Sequence, residues 1–208
     1  MVDLAAVLAT GLAALQLDLE PAQQAKLCAY LELLEKWNRA YNLTAVRHSV
    51  DMVNRHLVDS LSVLPFLRGS RILDLGTGAG LPGIPVAIAR REVSVVLLDG
   101  NGKKTRFCTQ AIAELGLGNV EVMHARVENY RPKELFDIVV CRAFGSLATF
   151  VNSAGRLLHA GGRLVAMKGR VLQREMDEIP PEFRLVEEVP LTLPALKDGH
   201  RIMVFEPA

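Results

Sequence analysis

Residues 71–83 read Arg-Ile-Leu-Asp-Leu-Gly-Thr-Gly-Ala-Gly-Leu-Pro-Gly. An aliphatic run ending at Asp74-Leu75 hands over to a turn with glycine at 76, 78, 80 and 83, and the apolar stretch Ile84 to Ala89 follows. Strand, glycine turn, helix is the opening unit of a ligand-binding α/β sheet, because glycines let the chain turn tightly and approach a ligand closely. Outward from this stretch the rhythm repeats. VSVVLLD (93–99) reads as a second strand with a helix over 103–115 after it, NVEVMHA (119–125) as a third and FDIVVCRA (136–143) as a fourth. A helix over 147–158 leads through Ala160-Gly161-Gly162 into a fifth strand, RLVAMKG (163–169). Alternating elements of this length imply right-handed crossovers and a parallel sheet. After a helix near 171–177, VEEVPLTL (186–193) and HRIMVFE (200–206) flank Lys197-Asp198-Gly199, a hairpin signal that ends the sheet in an antiparallel pair.

Upstream of residue 71 the period is helical. Pro21 suits a first turn, and Leu27, Tyr30, Leu31, Leu34, Trp37 and Tyr41 recur at helical spacing over 21–40. Ser49 is placed to cap a second helix with Val53, Leu57, Leu61 and Leu64 turned inward, closed by Pro65 and Gly69. The expected organisation is an N-terminal helical extension over 1–68 and a main domain over 69–208, forming one compact unit.

Of the 208 residues 50% are hydrophobic and only 5% aromatic, so the core must be aliphatic, as in a parallel sheet covered on both faces. With 24 basic and 23 acidic side chains the net charge is +1, so any nucleic-acid-binding face must be local. Cys28, Cys108 and Cys141 are far apart and have no metal-ligand spacing, which argues against a metal site and for a reducing cytoplasm. The apolar start carries Asp3 where a signal peptide needs positive charge, and its run stops at Asp18, short of a membrane span.

Gly78, Gly80 and Gly83 satisfy G-x-G-x-x-G, a pattern also found in nicotinamide-dependent dehydrogenases. Two details favour a nucleoside cofactor without pyrophosphate, S-adenosylmethionine above all. The glycines begin two residues after Asp74, and Leu81-Pro82 interrupts the helix start where a pyrophosphate needs N–H donors. Asp74 is then placed to accept from a methionine amino group, directly or through water. Asp99, ending the second strand, would accept the ribose hydroxyls, and Val127-Glu128, past the third, would hold the adenine. Arg142 ends the fourth strand on the same edge.

Tyr41-Asn42-Leu43-Thr44, Arg55-His56-x-x-Asp59-Ser60, the stretch Asp74 to Pro85, Arg142-Ala143-Phe144-x-Ser146 and Lys168-Gly169 occur in that order. In this combination the chain resembles the RsmG (GidB) family, bacterial guanine-N7 methyltransferases of 16S ribosomal RNA. The resemblance implies a Rossmann-like class I methyltransferase fold: α/β, with a doubly wound, mostly parallel seven-stranded sheet, a C-terminal antiparallel pair and an N-terminal helical cap. It implies S-adenosylmethionine contacts at Gly76, Leu81, Val127, Glu128 and Arg142, with Gly78 in the same loop. One departure is Gly100-Asn101 after Asp99, where the family pattern has serine first. The partner implied is 16S ribosomal RNA or the small ribosomal subunit, met in the cytoplasm by a monomer with no membrane contact.

The fourth strand ends in Cys-Arg-Ala-Phe, not in the Asn/Asp-Pro-Pro-aromatic element of exocyclic-amine methyltransferases. Guanine N7 has a free lone pair and no proton, so alignment of sulfonium, methyl and N7 suffices, and no proton-transfer residue is expected. Arg142 is expected to contact the cofactor and to reach O6 or a phosphate. His56, Asp59 and Ser60, at i, i+3 and i+4, share a helix face and are expected to hydrogen-bond one another in a wall of the substrate mouth. Lys168 is expected to meet a phosphate. Cys141 reads as a buried strand cysteine and not a nucleophile. The competing readings are an NAD-dependent oxidoreductase and a non-catalytic RNA-binding assembly factor.

Overall fold

The computed structural model describes residues 3–169, 171, 173–192 and 199–208. Its centre is one seven-stranded sheet in the order β3-β2-β1-β4-β5-β7-β6. The strands are β1 (Arg71–Leu75), β2 (Ser94–Asp99), β3 (Val120–His124), β4 (Phe136–Arg142), β5 (Leu158–Lys168), β6 (Phe183–Pro190) and β7 (Arg201–Pro207). β1 to β5 are parallel; β7 runs antiparallel to both β5 and β6. The sheet is thus mostly parallel, as expected, with its antiparallel pair at one edge. Lys197 and Asp198 of the expected hairpin turn lie outside the described residues.

Successive side chains along each strand enter opposite cores. Ile72, Val95, Leu97, Ile138, Val140 and Val165 belong to one apolar cluster, whereas Leu73, Val96, Leu98, Val139, Cys141 and Leu164 belong to the other. That is the period-two rule on a sheet buried on both faces. The second cluster is closed by α7 (Leu147–Ala154), through Leu147, Phe150 and Val151. The first is closed by α1 (Leu4–Ala14), α2 (Pro21–Tyr41), a helix over residues 49–61, α5 (Gly83–Ala89) and α6 (Gly102–Leu115). The N-terminal helices share a core with the sheet itself.

α1 was not foreseen as a helix. The Asp3 that argues against a signal peptide is its N-cap, accepting from the amides of Ala5 and Ala6. α2 is fixed across the sheet by buried polar contacts. Gln23 Nε2 donates to the carbonyls of Ile88 and Ala89 at the end of α5, both at 2.9 Å, and the Tyr30 hydroxyl donates to Ala79 O at 2.7 Å. The 49–61 helix consists of α3 (Ser49–Met52), a π-helical stretch Val53–Val58 and α4 (Asp59–Leu61). Ser49 is its first residue and not its cap; His48 holds that position without a side-chain bond. The π turn is wider than an α turn, so it re-aims every side chain beyond it, and such turns recur at functional sites.

At the amino-terminal edge of the parallel strands, Asp137 ties three of them together. Its Oδ2 accepts from Ser70 N and Arg71 N at 2.7 and 2.8 Å, and its Oδ1 contacts His159 Nε2. Burial works to raise the Asp137 pKa, but these hydrogen bonds outweigh it and bring it to about 2. The Asp137 contact raises the pKa of His159. The carboxylate's contribution is therefore present above about pH 4 and fades as pH falls toward 2. The imidazolium's contribution is present below about pH 6.5 and fades as pH rises through its raised value. Asp137→Asn is expected to lower the thermal midpoint and to abolish the extra loss of stability that wild type shows between roughly pH 6 and 8; thermal scans across that range measure both.

Candidate functional site

Two clefts open side by side at the carboxyl-terminal edge of the parallel strands, where the order reverses between β1 and β4. Ligands of open α/β sheets bind at such a switch point. The first, of ≈ 740 Å³, is lined by Gly76, Asp99, Asn101, Lys104, Val127, Glu128 and Phe144, among others. The second, of ≈ 620 Å³, is lined by Arg55, His56, Asp59, Arg142, Lys168, His200 and Arg201, with Ala143, Gly145 and Met167. Both volumes lie within the range of small-molecule sites.

The first cleft is shaped by the loop after β1. Asp74 is fully buried, and its Oδ2 accepts from Thr77 Oγ1 at 2.6 Å and Gly83 N at 2.8 Å, closing the glycine turn across its base. Gly76 and Gly78 have φ +70° and +61°, a region that side chains disfavour. At Gly76 a Cβ would also stand 2.8 Å from the Phe144 ring. Burial pushes the Asp74 pKa up to about 6, against the pull of Thr77 and Gly83. Its Oδ1 is buried without a partner.

Asp99, at the end of β2, accepts from Gly78 N at 2.9 Å with Oδ2 and from Asn101 N at 2.8 Å with Oδ1. Each oxygen keeps a lone pair for a ligand hydroxyl. Val127 and Glu128 form a single 3₁₀ turn (Val127–Asn129) after β3, with Val127 buried and Glu128 exposed. Arg156 and Arg131 hold the turn from outside, by the carbonyls of Val127 and Glu128 respectively. Acceptors for a ribose and an apolar patch for a purine, with an unpartnered carboxylate oxygen buried behind the glycine loop, match an adenosyl-methionine compound. They do not match a dinucleotide. The Gly83 amide, which a pyrophosphate would need at the helix start, is already given to Asp74.

Not every expected cofactor residue reaches this cleft. Asp74 is buried behind its wall, and Gly78, partly exposed, is absent from its lining. Leu81 is buried in the apolar cluster under α5 and is absent from the lining. Arg142 turns to the second cleft, where Nη1 donates to Arg55 O at 2.9 Å and to Asp59 Oδ2 at 3.2 Å. The four expected substrate residues, His56, Asp59, Arg142 and Lys168, do meet in that second cleft.

The expected mutual bonding of His56, Asp59 and Ser60 is replaced by outward partners. His56 Nε2 meets Thr44 Oγ1 at 2.9 Å, Asp59 serves Arg142, and Ser60 Oγ is buried without a partner. Burial, then the charge of Arg142, lowers the His56 pKa to about 4, so the imidazole is neutral near pH 7. Lys168 donates to Gly145 O at 2.9 Å and faces Glu175 Oε2 at 3.1 Å.

The sequence reading missed His200 and Arg201. His200 Nδ1 lies 3.6 Å from Asp59 Oδ1, and this contact raises its pKa. Arg201 pairs with Glu188. The signal was available: an antiparallel last strand brings its first residues to the edge where the parallel strands end, and Arg201 is in register with Lys168. Cys141 is buried and burial pushes its thiol pKa far up, so it is no nucleophile.

Residues 23–204 match the family GidB, described as rRNA small subunit methyltransferase G. The chain is 48% identical over 201 residues to the ribosomal RNA small subunit methyltransferase G of Nitrosococcus oceani, covering 97% of this chain and 94% of that one. The protein of the same name from Chromohalobacter salexigens is 52% identical over 184 residues, 88% of each chain. Among solved structures, magnesium protoporphyrin IX methyltransferase from Synechocystis with bound SAM superposes with a TM-score of 0.61 at 16% identity, covering 86% of this chain and 97% of that one. TrmN from Thermus thermophilus does so with 0.56 at 20% identity, covering 73% of this chain and 48% of that one. These two likenesses speak for the fold; with the match along most of its sequence, the chain belongs to the rRNA small subunit methyltransferase G family.

Proposed function

We propose that this protein methylates N7 of a guanine in 16S ribosomal RNA with S-adenosylmethionine, without a general base. The observation that carries the reading is the pairing of two unlike clefts across the end of β4, one suited to an adenosyl group and one lined by cations. When bound, S-adenosylmethionine supplies a methyl on a sulfonium, whose S–CH₃ bonding pair stays on sulfur as the N7 lone pair makes the new bond. Asp99 would receive the ribose hydroxyls, Val127 and the backbone at Glu128 the adenine, and Asp74 Oδ1 the ammonium, directly or through one water. What remains is alignment, which can contribute on the order of 7–11 kcal/mol.

The chemistry asks for no general base on the substrate side. His56 is held neutral, and N7 has no proton to lose. Arg55, Arg142, Lys168, His200 and Arg201 form a local basic patch in a chain of net charge +1. Such a patch suits the phosphates of a folded RNA, which position the substrate without reading its sequence. Among the described residues no helix is long and apolar enough to cross a membrane. Action in the cytoplasm, as a monomer on the small subunit or its RNA, belongs to the same reading.

The expected outcomes concern cofactor affinity, substrate turnover and pH. Asp99→Asn lowers S-adenosylhomocysteine affinity about tenfold or more by calorimetry, the scale of a hydrogen bond to a charged group. Wild type shows no heat with NAD; tight NAD binding would return the dehydrogenase reading. Arg142→Ala lowers kcat/KM on small ribosomal subunits about tenfold and flattens its salt dependence by about one phosphate contact. An assembly factor without activity would show no methylation even as wild type. Because the Asp74 carboxylate is charged only above about 6, S-adenosylhomocysteine affinity should fall as pH drops through that value. Asp74→Asn removes that dependence.

A further inference from the structure

Phe144 is the only Phe, Tyr or Trp among the described residues lining either cleft. It stands on the partition between them: its neighbours Ala143 and Gly145 line the cationic cleft, while Phe144 lines the cofactor cleft. Its ring lies directly on Gly76 and meets Phe150 edge-on, with centroids 6.3 Å apart at 67°, yet the residue stays partly exposed.

The backbone on both sides is left-handed, at a steric cost for Ala143 though not for glycine. Ala143 and Gly145 have φ +56° and +46°, and Ala143 is not a glycine. Left-handed backbone at a residue with a Cβ persists only where the surroundings enforce it, and it clusters at ligand clamps. Here Lys168 Nζ holds Gly145 O, and β5 holds the other side by Ala143 N to Met167 O at 3.4 Å. The segment is bent in a way that presents one aromatic ring.

A purine methylated at N7 becomes cationic, so positive charge spreads over its ring during the reaction. The cationic cleft is poorly suited to receive that charge. Asp59, the one lining carboxylate among the described residues, already faces Arg142 and His200. An aromatic face is the remaining group at the partition that attracts a cation without donating a hydrogen bond to N7.

We propose that Phe144 is the stacking platform for the target guanine, its π face stabilising the charge that the purine acquires as N7 takes the methyl group. This rests on the N7 reading above. It assigns the ring to the base, not to the sulfonium.

The test compares wild type, Phe144→Leu and Phe144→Trp on small ribosomal subunits, by single-turnover methylation at saturating S-adenosylmethionine, with calorimetry of S-adenosylmethionine and S-adenosylhomocysteine. At saturating S-adenosylmethionine Phe144→Leu should slow methyl transfer about tenfold, the scale of a desolvated cation–π contact, beyond any loss of cofactor affinity that its place in the cofactor cleft brings. Phe144→Trp should recover most of the rate. Wild-type rate in Phe144→Leu overturns the proposal. So does a loss that tracks weakened binding of the cationic cofactor alone, or a Trp variant as slow as the Leu one. A wild-type circular-dichroism spectrum and cooperative thermal unfolding certify that each variant is folded. Mass mapping of the wild-type product separates the two layers: a methyl on another atom sinks the N7 reading itself, whereas 7-methylguanine at full rate from Phe144→Leu sinks only the stacking.

Discussion

A carboxylate fully enclosed by an apolar sheet and its helices is expensive unless every lone pair is used, and Asp74 is such a group. Half of its capacity goes to Thr77 and Gly83, which closes the loop after β1 into a shape that three left-handed glycines then permit. The other oxygen is left bare. From this one arrangement follow the position of Asp99, whose Oδ2 takes the Gly78 amide, and the start of α5, whose first amide Asp74 consumes. Tyr30 extends the dependence to the N-terminal helices by holding Ala79 in the middle of the same loop. The cofactor cleft and the helical layer beneath it are therefore parts of one packing problem.

The strand-turn-helix rhythm was legible because buried parallel strands need near-continuous aliphatic runs and the turns between them need glycine. β3 and β6 are less fully buried, as sheet edges are, and the bounds of β6 were read three residues too late. The π-helical stretch was invisible. No side-chain pattern distinguishes an i→i+5 turn from an α turn, so the shared face expected for His56, Asp59 and Ser60 was drawn on the wrong cylinder.

For Arg142, expected on both the cofactor and the substrate side, the sequence already held the information that it faces the substrate cleft. Along β4, Val140 faces the cluster under the N-terminal helices and Cys141 faces the other, so residue 142 must return to the first. That direction leads to the 49–61 helix and Asp59, away from the adenosyl cleft. Counting which strand ends converge finds the edge of a site, and strand alternation then decides which side of the edge each residue serves. Leu81 stays out of the cleft lining for a simpler reason. An apolar side chain at a helix start beside a packed sheet gains more from burial than from a polar cofactor's rim.

The electrostatics of the second cleft bear on turnover. An enzyme that makes a cationic base on a polyanion must hold phosphates firmly enough to align N7 and loosely enough to release product. Bare cations would favour the first demand over the second. Here Arg142 and His200 rest on Asp59, Lys168 faces Glu175, and Arg201 rests on Glu188. Each phosphate contact is then an exchange of one anion for another, and its net free energy is smaller than the contact alone would give. Exchange also protects the apo cleft from its own repulsion, because five basic groups crowd one mouth. With binding tempered in this way, specificity has to come from the shape of the RNA and from the one base that can reach the partition between the clefts.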